Sequence, residues 1–226
     1  NFLGIPVIED GSHAHGACDT TPGKYAGGFG AVGCFSLYPT KVITTGCGGV
    51  ITTNDSLLAE YARAVRHHGA SSKGTEEIIL PGSNWVMSEI HAVLGLAQLD
   101  SLKQVLAHRT QLASLYREAL EQDDRIAIPA VPVGVTHSYY KQPMILRTGS
   151  KYKLREYLGR AGVQCGALYD PPVHLQPACK TLFSGLTFPT AEKVLPQQFC
   201  LPLHLKLTES DVMMIPRTVR TGLDTL

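Results

Sequence analysis

The arrangement that most constrains this chain is a pair of short apolar runs, each delivering a charged residue at its end, with a glycine-rich stretch between them. Ile5-Pro6-Val7-Ile8 leads into Glu9-Asp10-Gly11, the pattern of a buried strand that ends in an acid. Pro6 fits such a strand only near its start. After the glycine-rich stretch over 23–33, Cys34-Phe35-Ser36-Leu37-Tyr38 predicts a second strand, and Pro39-Thr40 turns the chain into Lys41. Open α/β sheets bind ligands beyond the C-terminal ends of their strands. Asp10 and Lys41 are therefore expected at one edge of one sheet.

Gly46-Cys47-Gly48-Gly49 leads into a third expected strand, Val50-Ile51-Thr52-Thr53, and Asn54 or Asp55 is placed to cap a following helix. In that helix Leu57, Leu58, Tyr61, Ala62 and Val65 share one face, and Gly69 is its stop signal. Ser88 opens a long helical stretch toward Leu120, and Pro129 and Pro132 end this half. The rhythm then changes to a strand over 140–146, a helix over 153–161 closed by Gly162, and the proline-rich segment Tyr169-Asp170-Pro171-Pro172. Thr208-Glu209-Ser210-Asp211 forms a capping-box pattern for a last helix, in which Pro216 predicts a kink or break. The expected division is a larger domain over 1–132 and a smaller α+β domain over 133–226.

With 226 residues, 44% hydrophobic and 17% charged, the chain has the composition of a globular protein with a sizeable core. Its 20 basic and 19 acidic residues give a net charge of +1, so no global field draws it to nucleic acid or a membrane surface. The six cysteines lie far apart without a CxxC pair, which argues for reduced thiols and a cytoplasmic location. No apolar run approaches the ~18 residues needed to cross a bilayer.

A lysine amine and a carboxylate are what pyridoxal 5'-phosphate (PLP) requires: the amine forms the imine, and the carboxylate keeps the pyridine nitrogen protonated so that the ring draws electrons. Ser36, just before the lysine turn, is placed to offer a hydroxyl to the phosphate. The ordered segments Val7 to Ala17, Cys34 to Lys41 and Thr45-Gly46-Cys47-Gly48-Gly49 resemble the DegT/DnrJ/StrS family of PLP-dependent nucleotide-sugar aminotransferases. So do Gly82-Ser83-Asn84-Trp85-Val86-Met87-Ser88-Glu89-Ile90-His91-Ala92, Tyr169-Asp170-Pro171-Pro172-Val173-His174 and Leu201-Pro202-Leu203. The resemblance implies the aspartate aminotransferase-like fold (fold type I), as a partial large domain with a mixed, mostly parallel sheet and a small C-terminal domain.

By the same resemblance, Asp10 pairs with the pyridine nitrogen, His13 lies against the ring, Ser36 binds the phosphate and Lys41 is the Schiff-base lysine. Asn84 reaches the phosphate of a neighbouring subunit in a homodimer with shared sites. The implied reaction moves an amino group from an amino acid, glutamate in most of the family, to a keto sugar carried on a nucleotide diphosphate. Cys47 stands where the family usually has glutamate and Val86 where it usually has arginine. Family members also carry a long N-terminal segment with further phosphate-binding and ring-stacking residues, so the resemblance implies that this sequence is the remainder of a longer protein. The alternative is a truncated non-catalytic paralogue or fragment that keeps the fold and oligomerises. Relatives that act as dehydratases replace the lysine with histidine, and Lys41 argues against that branch.

Three other motifs have plainer explanations. Gly28-Phe29-Gly30-Ala31-Val32-Gly33 matches GxGxxG, but a strand rather than a helix follows it, against a dinucleotide fold. His13, His15 and Cys18 lack a second cluster to complete a metal site. Cys47 in a glycine-rich turn is explained by its small size rather than by nucleophilicity.

Overall fold

The computed structural model describes residues 3–71 and 77–226. Its strands are β1 (Ile8–Asp10), β2 (Cys18–Asp19), β3 (Lys24–Tyr25), β4 (Val32–Ser36), β5 (Gly49–Thr52), β6 (Ile126–Ala127), β7 (Val135–Thr136), β8 (Gln142–Leu146) and β9 (Gln198–Leu201). Its α-helices are α1 (Ser56–Arg66), α2 (Glu89–Asp100), α3 (Leu102–Leu120), α4 (Lys151–Arg160), α5 (Pro189–Val194) and α6 (Glu209–Leu223). They form two compact units, Asn1–Leu106 with Val131–Tyr140, and Ala107–Ala130 with Lys141–Leu226. α3 runs from one unit into the other, and residues 131–140 return to the first.

In the first unit β4 lies between β1, parallel to it, and β5, antiparallel to it, which makes the sheet mixed. Asp10 pairs with Cys34 across β1 and β4, and the Gly11 amide continues the ladder to the Cys34 carbonyl at 2.8 Å. β1 begins later than the apolar run suggests. Ile5, Val7 and Ile8 are exposed rather than buried, and Ile5 and Val7 precede β1, an edge strand among the described residues. The glycine-rich stretch is folded against it. Glu9 accepts the backbone amides of Gly27 and Gly30, and the Ala31 amide donates to the Val7 carbonyl. A β-carbon on Gly30 would lie 2.3 Å from the Val7 carbonyl oxygen, and one on Gly27 2.4 Å from the Phe35 ring. Gly30 admits a carbonyl and Gly33, whose β-carbon would lie 2.4 Å from the Gly27 α-carbon, admits a neighbouring backbone, so these glycines of the GxGxxG match serve packing.

Asp55 caps α1 by accepting the Leu57 and Leu58 amides, as its position suggests. The amphipathic face expected there is exposed at Leu57 and Tyr61, and only Ala64 is buried. The long helix expected after Ser88 is two helices. Ser88 caps α2, and Ser101 ends it in a turn before α3 starts; Asp100 and Ser101 are poor helix formers side by side. Gln98 of α2 clasps the Thr44 backbone, accepting its amide at 3.0 Å and donating to its carbonyl. Val42, Ile43 and Thr45 are buried, so the chain just after Lys41 is anchored on its apolar side.

The second unit is built on an antiparallel sheet in the order β6-β8-β9. Along β8 the side chains of Gln142, Met144 and Leu146 alternate inward, as a half-buried strand requires. They join Leu112, Tyr116 and Leu120 of α3, Leu154 and Leu158 of α4, and Val212 and Val219 of α6 in one core. The four-residue repeat along α3 puts its three residues on one face. Tyr116 is buried but donates its hydroxyl to the Pro202 carbonyl at 2.9 Å. The capping box of Thr208 and Asp211 forms as expected. Pro216 does not break α6: the helix is continuous through it, with Val212, Ile215, Val219 and Leu223 buried on either side, and that packing outweighs the missing amide.

Candidate functional site

Lys41 follows a turn closed by its own amide donating to the Tyr38 carbonyl at 3.0 Å, and its side chain is half-buried. Asp10 ends β1 beside β4, the strand that leads into this turn. Its carboxyl is held below the usual aspartate range by the Ser12 hydroxyl and then by the Ser12 backbone amide, which donates at 3.0 Å. The nearby charges of His13 and Lys41 act in the same direction. An ionised carboxylate and a lysine amine thus share one side of the sheet, at the ends of neighbouring strands.

His13 lies on the same side, its ring 4.2 Å from that of Tyr140 and tilted by 40°. Ser36 is half-buried at the end of β4, and its hydroxyl accepts the Tyr38 amide at 3.3 Å. These four expected residues, Asp10, His13, Ser36 and Lys41, therefore occupy one neighbourhood. Asn84 does not belong to it; it is exposed and bridged to His67 past the end of α1. Cys47 and Val86 are both exposed.

Two residues stand in this neighbourhood without having been expected there. Lys41 Nζ lies 4.9 Å from the centre of the Tyr140 ring, and the Tyr140 hydroxyl meets the Thr40 hydroxyl at 2.8 Å. Tyr140 comes from a segment about a hundred residues downstream, and only its return to the first unit places it here. His15 is 4% exposed and packed 5.4 Å from the Phe35 ring, and among the described residues neither ring nitrogen has a hydrogen-bond partner within normal reach. Burial lowers its pKa, with the Ser36 backbone opposing and the Lys41 and His13 charges assisting. In the fold the His15 and His13 rings have different neighbours, Phe35 and Tyr140.

A lysine amine and an ionised carboxylate at adjoining strand ends match the demands of PLP, the amine for its aldehyde and the carboxylate for its protonated ring nitrogen. The fold and this donor set define a PLP-dependent transferase class. The chain belongs to the DegT/DnrJ/EryC1/StrS aminotransferase family, whose profile matches residues 2–220. It is 32% identical over 210 residues to a GDP-perosamine synthase of Caulobacter vibrioides, covering 91% of this chain and 56% of that protein. Among solved structures it resembles PseC of Helicobacter pylori, an aminotransferase involved in pseudaminic acid biosynthesis, with TM-score 0.90 and 26% identity over 98% of this chain and 60% of the other. It also resembles the sugar aminotransferase Spr1654 of Streptococcus pneumoniae in its PMP form, with TM-score 0.89 and 26% identity over 98% and 58% of the two chains. That protein is known in a PLP form as well, and PLP is the cofactor of the family. The chain spans about three fifths of the length of these relatives.

Proposed function

We propose that the chain provides the lysine-bearing part of an aminotransferase that moves an amino group from an amino acid, glutamate as donor, to a keto sugar linked to a nucleotide diphosphate. The observation that carries this reading is the approach of Asp10, held ionised, to the side of the sheet where Lys41 stands. When bound, PLP supplies an electron sink and a carrier for the amino group. The Lys41 amine would hold the cofactor's aldehyde carbon, and its Nζ would be the atom that carries the proton during the exchange. The Asp10 carboxylate holds the ring nitrogen's proton. In the same reading His13 lies against the ring, the Ser36 hydroxyl donates to the phosphate, and Asn84 reaches the phosphate in a neighbouring subunit.

The GDP-perosamine synthase among the relatives supports a nucleotide-sugar substrate. A homodimer in the cytoplasm is part of the proposal. Exposed apolar side chains on α2, Ile90, Val93 and Leu96, support a covered face there, and light scattering tests the assembly. No helix among the described residues is long and apolar enough to cross a membrane.

Purified protein mixed with PLP and reduced with borohydride should carry a stable adduct on Lys41, absent from Lys41→Ala. Failure of the wild-type chain to acquire visible absorbance or an adduct favours the second reading, a non-catalytic paralogue.

A further inference from the structure

The segment that delivers Tyr140 is anchored to the site at several points. β7 pairs with β2 through Thr136 with Cys18 and Val135 with Asp19. The amide and hydroxyl of Thr20 donate to the Gly134 carbonyl at 2.7 and 2.8 Å, and the Ser138 hydroxyl donates to the His13 carbonyl at 2.6 Å. Tyr139 then takes φ of 46°, a left-handed conformation that side chains with a β-carbon rarely adopt unless their surroundings enforce it. The result is a half-buried Tyr140 ring between His13 and Lys41, with its hydroxyl on Thr40, the residue that immediately precedes the lysine.

A tyrosine that served only the core would not reach two consecutive residues of the lysine turn. Lysine is long and gains many rotamers when unsupported, so an amine required at one carbon atom benefits from a fixed wall. An aromatic face within about 6 Å also favours a cation placed over it. The charged and titratable groups around the amine are Asp10, His13 and His15 on the β1 side and Tyr140 from the returning segment.

We propose that Tyr140 is a positioning residue for Lys41, fixing the lysine turn through Thr40 and giving the amine a ring face that holds it on the Asp10 side; the inference rests on Lys41 being the imine-forming lysine. Tyr140→Phe keeps the ring and removes the hydroxyl, Tyr140→Leu removes both, and Thr40→Val removes the partner hydroxyl.

The test measures Lys41 in the full chain in two ways. Competitive acetylation with acetic anhydride, without cofactor, reports its reactivity relative to the exposed Lys103 and Lys153 by mass spectrometry. The rate of borohydride-stable adduct formation with added PLP reports its alignment. Adduct formation at Lys41 should slow about threefold in Tyr140→Phe and Thr40→Val and about tenfold in Tyr140→Leu. The relative acetylation of Lys41 should change in Tyr140→Leu and be restored toward wild type by phenylalanine, whereas Lys103 and Lys153 stay constant.

A purely structural role predicts a lower denaturation midpoint in Tyr140→Leu with Lys41 reactivity unchanged in the folded protein, and unchanged adduct rates in Tyr140→Phe and Thr40→Val. Wild-type rates and labelling in a folded Tyr140→Leu protein overturn the inference alone. Should the leucine variant not fold, unchanged Lys41 rates in Tyr140→Phe and Thr40→Val overturn it equally. Adducts on Lys103 and Lys153 but not on Lys41 in the wild-type chain overturn the assignment of Lys41 itself, and the role of Tyr140 with it.

Discussion

The Glu9 carboxylate accepts the backbone amide of Gly27 at 2.7 Å, while its other oxygen takes the amide of Gly30. Burial opposes the ionised form, but the Gly30 and Gly27 amides prevail and hold the carboxyl below its usual range. This acid therefore organises the glycine-rich stretch, and its neighbour Asp10 is left to face Lys41. Glu9→Gln offers one acceptor and a donor that opposes an amide hydrogen. It should cost about 1–3 kcal/mol, visible as a lower denaturant midpoint.

Gly30→Ala should be damaging for a different reason. The new β-carbon would meet the Val7 carbonyl at 2.3 Å, and backbone on both sides leaves little room to yield, so a loss of about 1–3 kcal/mol is expected. Gly159→Ala is the matching control. Gly159 lies within α4 with open space around it, and alanine there should stabilise by about 0.5–1 kcal/mol. Chemical denaturation of both variants checks the contrast.

His15 predicts a pH dependence. Burial holds its pKa below the ordinary value of 6.5, so between the lowered folded value and 6.5 the unfolded chain binds more protons than the folded one. Stability is full above about 6.5 and falls as pH drops through this window. The His137 ring nitrogens are partly desolvated although the residue is exposed, and its lowered pKa acts more weakly in the same direction. His15→Phe should reduce the slope of midpoint against pH between 6.5 and 5 without abolishing it. An unchanged slope would show that the His15 ring is not the source.

In the second unit the Lys151 ammonium, with a fully buried side chain, pairs with Asp170 and donates to the Leu195 carbonyl at 2.7 Å. The pairing with Lys151, and after it the Tyr152 hydroxyl, lowers the Asp170 pKa from 3.8. This contribution is present above 3.8 and is lost as pH falls through the folded value. Asp170→Asn leaves a buried charge without its counter-charge and should cost about 3 kcal/mol. Adding Lys151→Met should recover much of that loss, because no buried charge then remains. Thermal unfolding of the single and double variants measures both effects.

Local patterns made several elements legible. Asp55 and Ser88 as caps, the box at Thr208 and Asp211, and the period-2 strand through Met144 and Leu146 depend on neighbours within a few residues. The break at Ser101 and the continuity of α6 through Pro216 were less legible, since packing and turn geometry decide them.

The sequence by itself determined the order of Asp10, Ser36 and Lys41 and the resemblance of the segments that carry them to one aminotransferase family, because that information lies in short ordered segments. Tertiary structure alone decided what surrounds the lysine. Tyr140 reaches Lys41 only through the pairing of β7 with β2 and the bond from Ser138 to His13. His15 becomes a buried ring only once Phe35 and the neighbouring backbone close over it. Such contacts join residues far apart in the chain, and no local propensity or period encodes which of them will meet.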